Sequence, residues 1–277
     1  MLPRPEKIED CALVTHMGCM DGSGSAIMFL RAGGKRENVH YVAAGMTDRF
    51  MKKDFDREVG SRFVIFGDIG FGPDSRYPDE LEKRGSVVLL DHHKTVQHLS
   101  GRHWCDIRMD VCGTELVRQY LGLEDASSKA LAALIMDHDL WLRKDPMSER
   151  LASFTVFAGQ DVFVDRFLER DVSERVFTKS EEEMMKIVEH RRDGIIDQLL
   201  KKTQIRDILW GDGKMARVGY VISAEMNTSL FLDRMCSAHT DIDIACQVNV
   251  ERNSVSLRSR SGYDVSEFAA EFGGGGH

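Results

Sequence analysis

Short apolar runs recur along the first third of the chain, and three of them lead into residues able to carry chemistry. Cys11-Ala-Leu-Val-Thr15, Val39 to Val42, Arg62-Phe-Val-Ile-Phe66 and Val87-Val-Leu-Leu90 are four such runs. Runs of this length, rich in β-branched and aromatic residues and bounded by polar turns, read as buried strands. Between them the spacing changes. Ser25-Ala-Ile-Met-Phe-Leu30 is helical in pattern and follows a polar loop from His16 to Gly24, and Pro78 to Arg84 reads as a short helix. Strands alternating with helices predict a parallel, doubly wound sheet of the α/β class.

Further on, Thr114 to Tyr120 and Ser127 to Met136 have helical spacing, the second leading into Asp137-His-Asp139-Leu-Trp141. Residues 150–177 are mixed and read as helical. Ser180-Glu-Glu-Glu183 has the form of a capping box opening a long helix that runs to about Lys202. Its stripe of Met184, Ile187, Val188, Ile195, Leu199 and Leu200, with charged faces around it, suits a connector. After Thr203 come strand candidates at 215–222, 242–250 and 254–258, a helix at 227–238, and a last helix from Asp264 to Phe272. The expected organisation is a parallel-sheet domain over 1–178, a connector helix over 179–203, and a smaller mixed α/β domain over 204–277.

The net charge of −8 argues against coating long nucleic acid by phosphate neutralisation. It leaves room for a small phosphorylated substrate, because bound cations and a few arginines make one cleft positive on an acidic protein. The six cysteines are scattered with no CxxC pair, which suits reduced thiols in a cytoplasm. No apolar run is long enough to span a bilayer, and the first residues lack a secretory pattern, so a cytoplasmic location without membrane contact is expected.

Three strand ends deliver His16 and Asp21, then Asp68, then Asp91, His92 and His93. In an open α/β sheet, ligands bind outside the carboxyl ends of the strands. Carboxylates and imidazoles there suit a pair of divalent metals clamping a phosphoryl group. The ligand candidates are His16, Asp21, Asp68, His92 and Asp137. Asp139 could replace Asp137 if the loop turns differently. Cys19 either ligates and changes the metal preference, or is a buried thiol. Trp141 reads as core packing, while Phe71 and Tyr263 are candidates for stacking on a base.

Asp91-His92-His93, His16-Met-Gly-Cys-Met-Asp21-Gly, Asp68 and Asp137-His-Asp139-Leu-Trp141 resemble the motifs of the DHH phosphoesterases. Ser256-Leu-Arg258-Ser-Arg260 followed by Gly273-Gly-Gly-Gly-His277 resembles the substrate-binding motif of the DHH-associated C-terminal domain. The resemblance covers essentially the whole chain. It implies one or two manganese ions, with magnesium or cobalt as substitutes: His16 and Asp68 hold one, and Asp21, Asp68, His92 and Asp137 the other. Many relatives carry an aspartate where this chain has Cys19. The resemblance also implies that Asp91 orients the neighbouring imidazoles and that His93 stands near the transferring phosphate. Arg258, Arg260, Gly274, Gly275, Gly276 and His277 would bind substrate. The expected activity is hydrolysis of phosphodiester or phosphomonoester bonds in short oligonucleotides, linear dinucleotides or nucleoside bisphosphates, by a homo-oligomer or a monomer. A pyrophosphatase or exopolyphosphatase and a catalytically impaired nucleotide-binding protein are the competing readings.

Overall fold

Asp68 and Asp91 come together because strands that are distant in sequence lie next to one another. The computed structural model describes residues 2–209, 213, 215–224, 228–260 and 263–272. It divides into a first unit ending at Glu181 and a second beginning at Glu182. In chain order the first unit contains β1 (Cys11–His16), α1 (Met20–Arg31), β2 (Val39–Val42), α2 (Thr47–Lys53), α3 (Phe55–Glu58) and β3 (Phe63–Gly67). Then follow α4 (Tyr77–Arg84), β4 (Val87–Asp91), β5 (Cys105–Ile107), α5 (Gly113–Leu121), α6 (Ala126–Asp139), α7 (Pro146–Ala158) and α8 (Gln160–Leu168).

The five strands are all parallel and lie in the order β2-β1-β3-β4-β5. The chain moves outward from β1 to β2 and then crosses back to β3 on the other side. Strand order therefore reverses between β1 and β3, which is the crevice where such sheets bind ligands. Register sets the rest. Thr15 pairs with Gly67 and Gly67 with Leu90, so His16, Asp68 and Asp91 are the next residues along three adjacent strands.

Cys11 to Val14, Val64 to Phe66 and Val87 to Leu90 are fully buried. Helices cover both faces of a parallel sheet, which is why these strands read as unbroken apolar runs. One face packs Val14, Phe66 and Leu89 against Phe55, Val59, Leu81 and Trp104. On the other face α1 and α5 press close enough that a side chain on Gly67 would meet Val117, Leu13 and Ser25.

Several boundaries differ from the sequence reading. Helix α1 starts at Met20 rather than Ser25, because Cys19 caps it and the glycines after it are packing positions rather than loop. Strand β5 is an edge strand of only three residues and carries no apolar run. Residues 150–177 resolve into α7 and α8. The capping box is Thr178 with Glu181: the Thr178 N–H and hydroxyl donate to the Glu181 carboxylate at 2.6 and 2.8 Å. It opens α9 (Lys179–Leu200), whose buried positions are Met185, Arg192 and Ile196. Ile187 is 72% exposed, so the stripe runs one residue out of phase with the one expected.

The second unit adds β6 (Gln204–Leu209), β7 (Met215–Ile222), α10 (Thr228–Ala238), β8 (Ile244–Asn249), β9 (Ser254–Ser259) and α11 (Val265–Glu271). Its sheet runs β6-β7-β8-β9, with only β7 and β8 parallel. Ile196 and α10 pack on one face with Val221 and Ala245, while Phe268 and Tyr263 pack on the other with Val218, Ile244 and Cys246. Strand β6 escaped the sequence reading because it is an edge, exposed at nearly every position. Among the described residues no helix is long and apolar enough to cross a membrane.

Candidate metal centre

The first wall of the site is the turn from β1 into α1. Cys19 has extended backbone angles, and its Sγ accepts the Gly22 N–H at 3.1 Å, acting as the helix cap. This places Asp21 in the first turn of α1. Gly22 is required because a Cβ there would lie 2.1 Å from the His16 carbonyl oxygen. The buried Asp21 carboxylate accepts the N–H groups of Gly113 and Thr114, each at 2.7 Å, at the start of α5. The Thr114 hydroxyl donates to the Asp21 carbonyl at 2.8 Å. Gly113 has no room for a side chain, since its Cβ would meet Asp68 Cβ at 2.5 Å. The Gly113-Thr114 clamp was absent from the sequence reading. Its signal is a small-residue pair opening a helix, where free N–H groups face an anion.

Asp68 sits at the centre, at φ 58°, a left-handed conformation that non-glycine residues seldom adopt. Its two carboxylate oxygens face different partners. Oδ1 lies 3.3 Å from His92 Nε2. Oδ2 accepts the Cys19 thiol at 3.2 Å and lies 3.8 Å from His16 Nδ1. The same His92 nitrogen is 3.4 Å from Asp21 Oδ2 and 3.4 Å from Asp139 Oδ2. Asp91 closes the group: its Oδ1 accepts the backbone N–H groups of His92 and His93 at 2.6 and 3.1 Å and lies 2.7 Å from His93 Nδ1.

So many buried carboxylates distort one another's titration. Burial opposes charge on His92, but hydrogen bonding to Asp21 and Asp68 overrides it and lifts the imidazole to about 11. His93 is raised to about 9, burial again being outweighed by Asp91. Asp139 is pushed up to about 7 by burial and by the charge on Asp21. Burial and Asp21 likewise hold Asp68 well above the usual carboxylate range. The His16 imidazole is pushed down by burial and by His93.

The donor set fits a divalent cation. Two trios, His16 with Cys19 and Asp68, and Asp21 with His92 and Asp139, each hold their ligand atoms within 4.8 Å of one another. Bonds of ~2.1 Å put neighbouring ligand atoms ~3 Å apart in an octahedron and ~3.4 Å apart in a tetrahedron, close to the spacings just described. Asp91 Oδ2, buried without a hydrogen-bond donor among the described residues, is a further acceptor at the edge of the group.

No family model matches the chain. Its sequence is 25% identical over 282 residues to oligoribonuclease NrnB of Bacillus subtilis (strain 168), an alignment covering 93% of this chain and 69% of that protein. Exonuclease RecJ bound to manganese matches in fold with a TM-score of 0.57 at 13% identity, over 95% of this chain and 81% of that one. RecJ from Thermus thermophilus in complex with Mn2+ also gives 0.57, at 14% identity, over 95% of this chain and 47% of that one. These likenesses support a DHH-family phosphoesterase.

The two aspartates of Asp137-His-Asp139 play different parts. Asp137 was expected as a ligand, but its carboxylate points away from the cluster. It accepts the Lys144 N–H at 2.8 Å, the Asp145 N–H at 3.3 Å and the Ser148 hydroxyl at 2.6 Å. One helical step of two residues turns the side chain by roughly 200°, so only one of the two aspartates can face the site. Asp139 is the one that does. Asp137 instead fastens the loop over 140–145. On that loop the Arg143 guanidinium lies 4.5 Å above the Trp141 ring, and both residues have positive φ. Trp141 is therefore only partly buried and is not a core residue, whereas Phe71 is fully inside the core and offers no stacking face.

In the second unit, Arg258 pairs with Ala245 across the sheet and so shares the face of α10, where its guanidinium lies 3.6 Å from Asp233. Arg260 donates to the Thr240 carbonyl at 3.3 Å. Tyr263 packs within this unit, its hydroxyl donating to the Met215 carbonyl at 2.8 Å. Gly274, Gly275, Gly276 and His277 lie outside the described residues.

Proposed function

We propose that this chain is a manganese-dependent phosphoesterase that hydrolyses short oligonucleotides, linear dinucleotides or nucleoside bisphosphates. The observation that carries the reading is the double use of Asp68, one oxygen facing His92 and the other facing His16 and Cys19. A carboxylate shared in this way is what a pair of ions ~3.5–4 Å apart requires.

In this reading His16, Cys19 and Asp68 hold one divalent cation, and Asp68, Asp21, His92 and Asp139 hold the other. A cation bound there supplies a Lewis acid for a phosphoryl oxygen and acidifies water toward ~7 for attack on phosphorus. Everything else is done by the chain. The Gly113 and Thr114 N–H groups fix the direction of the Asp21 carboxylate. Asp91 holds His93 Nδ1 and so sets the direction of the ring. Asp91 favours the protonated form of His93, which suits it to stabilising charge on the phosphoryl group or protonating the leaving oxygen.

The name of the Bacillus subtilis relative supports short RNA as a substrate. RecJ from Thermus thermophilus is found in complex with Mn2+ and with Mg2+, which supports either ion at the oxygen-rich positions. The acidic net charge favours a short substrate over a long one. Trp141 and Arg143, two and four residues beyond Asp139, offer the stacking surfaces that unpaired bases use. Arg258 and Arg260 are proposed substrate contacts of the second unit.

The test is a panel of di- to pentanucleotides, linear and cyclic dinucleotides, nucleoside bisphosphates and polyphosphate, assayed with manganese, magnesium and cobalt. Mononucleotide release from the short oligomers is expected, abolished by a chelator and by Asp68→Ala or His92→Ala. Release of phosphate from polyphosphate alone would overturn the substrate class. Activity surviving either substitution would overturn the site.

A further inference from the structure

We infer that the two halves of the cluster take different metals: His16, Cys19 and Asp68 select a borderline-soft ion such as zinc or cobalt, while Asp21, His92 and Asp139 select a hard one such as manganese. The inference rests on the function proposed above and adds to it which ion belongs where.

The donors differ in kind. The half built on Asp21, His92 and Asp139 offers two carboxylates and one imidazole, plus the Asp68 oxygen facing His92. Oxygen-rich sets suit manganese and magnesium. The other half offers a sulfur, an imidazole nitrogen and one carboxylate oxygen, and thiolate selects zinc and similar ions over manganese. Three protein donors with a further position left for water or substrate is also how reactive zinc sites are built.

Cys19 is not an incidental thiol beside this site. Its Sγ is held at both ends, accepting the Gly22 N–H at 3.1 Å and donating to Asp68 Oδ2 at 3.2 Å. The first of these contacts is the cap of α1, so the sulfur cannot swing away without uncapping the helix. The thiol hydrogen points at the oxygen that would share the ion. Binding therefore breaks S–H, forms S–metal and releases one proton to solvent. His16 and Cys19 are both partly exposed, whereas in the other trio Asp139 is and Asp21 and His92 are buried.

The test is metal binding rather than turnover. Chelator-stripped protein, kept reduced, is loaded with one equivalent of manganese and titrated with cobalt. A near-ultraviolet thiolate-to-cobalt charge-transfer band is expected, saturating at one cobalt per chain, with manganese retained by elemental analysis. Cys19→Ser keeps a good helix-capping side chain, and its melting temperature verifies that it folds. It is expected to lose the band and to weaken cobalt binding by more than the ~10–100-fold that loss of an outer partner costs, while still holding one manganese. Cys19→Asp is expected to lose the band and to accept a second manganese. Cobalt bound without the band, or two manganese ions held equally by the unsubstituted protein and Cys19→Ser, would overturn the inference while leaving the proposed function standing. Failure of the unsubstituted protein to bind either ion would overturn both.

Discussion

Asp139 Oδ2 lies 3.4 Å from His92 Nε2, whereas Asp137, two residues earlier on the same helix, spends its carboxylate on Ser148 and on the backbone of Lys144 and Asp145. The pair divides one motif into a ligand and a fastener. Asp139→Asn is expected to lower activity at least ~100-fold, the scale of losing a catalytic contribution, with little change in melting temperature. Asp137→Ala is expected to do the reverse in stability, costing ~1–3 kcal/mol because buried donors lose their acceptor. Thermal unfolding and manganese titration on both variants separate the roles.

Metal affinity is expected to depend on pH through Asp139. Its carboxyl is raised to about 7 by burial and the Asp21 charge, and a cation must displace that proton. Manganese affinity is therefore expected to fall by ~10-fold or more per unit as pH drops, and to go on rising above 7 because His92, lifted to about 11, must also give up its proton to ligate. Calorimetric titration between pH 5.5 and 8.5 measures this, taking that range as roughly one to two units around the transition. A flat profile would refute it.

His93 gives a dependence of opposite sense in the metal-free protein. Burial disfavours its charge, but Asp91 raises it from 6.5 to about 9 in the folded state. A base bound more tightly to its proton when folded contributes stability below its unfolded pKa and loses that contribution as pH rises through the folded one. The melting temperature of metal-free protein is expected to decline between pH 6.5 and 9. His93→Gln should make that decline shallower, leaving the part that His92, lifted to about 11, contributes.

Gly113→Ala is expected to damage the centre although the glycine carries no chemistry. The added Cβ would stand 2.5 Å from Asp68 Cβ and 3.0 Å from Asp21 Oδ2. Overpacking of this kind costs ~1–3 kcal/mol, and here it moves two ligands. Manganese affinity and melting temperature should fall together. A variant with unchanged metal affinity would show that α5 does not position the ligands.

Trp141→Ala is expected to raise KM for a dinucleotide by ~5–100-fold, corresponding to ~1–3 kcal/mol of base stacking. Hydrolysis of a small aryl phosphate, which has no base, should change little. Equal effects on both substrates would assign Trp141 to shaping the loop instead.

Periodicity located β1, β3 and β4 because strands buried on both faces must be apolar throughout, and located the edge strand β2 by Val39, Tyr41 and Val42. It missed β5 and β6, which are edges paired on one side only. Such strands are held by backbone hydrogen bonds, which leave no mark in side-chain pattern. The phase of α9 was misread for a related reason: Met184 and Met185 are equally apolar, and only the packed partner decides which one is buried. Asp21, Asp68, His92 and His93 were legible as a group because each follows an apolar run at a chain position that a parallel sheet brings to one edge.

The sequence by itself determined that a parallel α/β sheet would form and that acidic and imidazole side chains would gather at its carboxyl edge, since hydrophobic pattern and strand direction are local properties. Tertiary structure alone decided which aspartate of α6 joins the cluster, that both oxygens of Asp68 are used, and that Gly113 and Thr114 orient Asp21 from across the fold. Those outcomes depend on the rotation of one helix against another and on distances of a few tenths of an ångström between residues far apart in the chain, and no spacing along a single strand or helix encodes them.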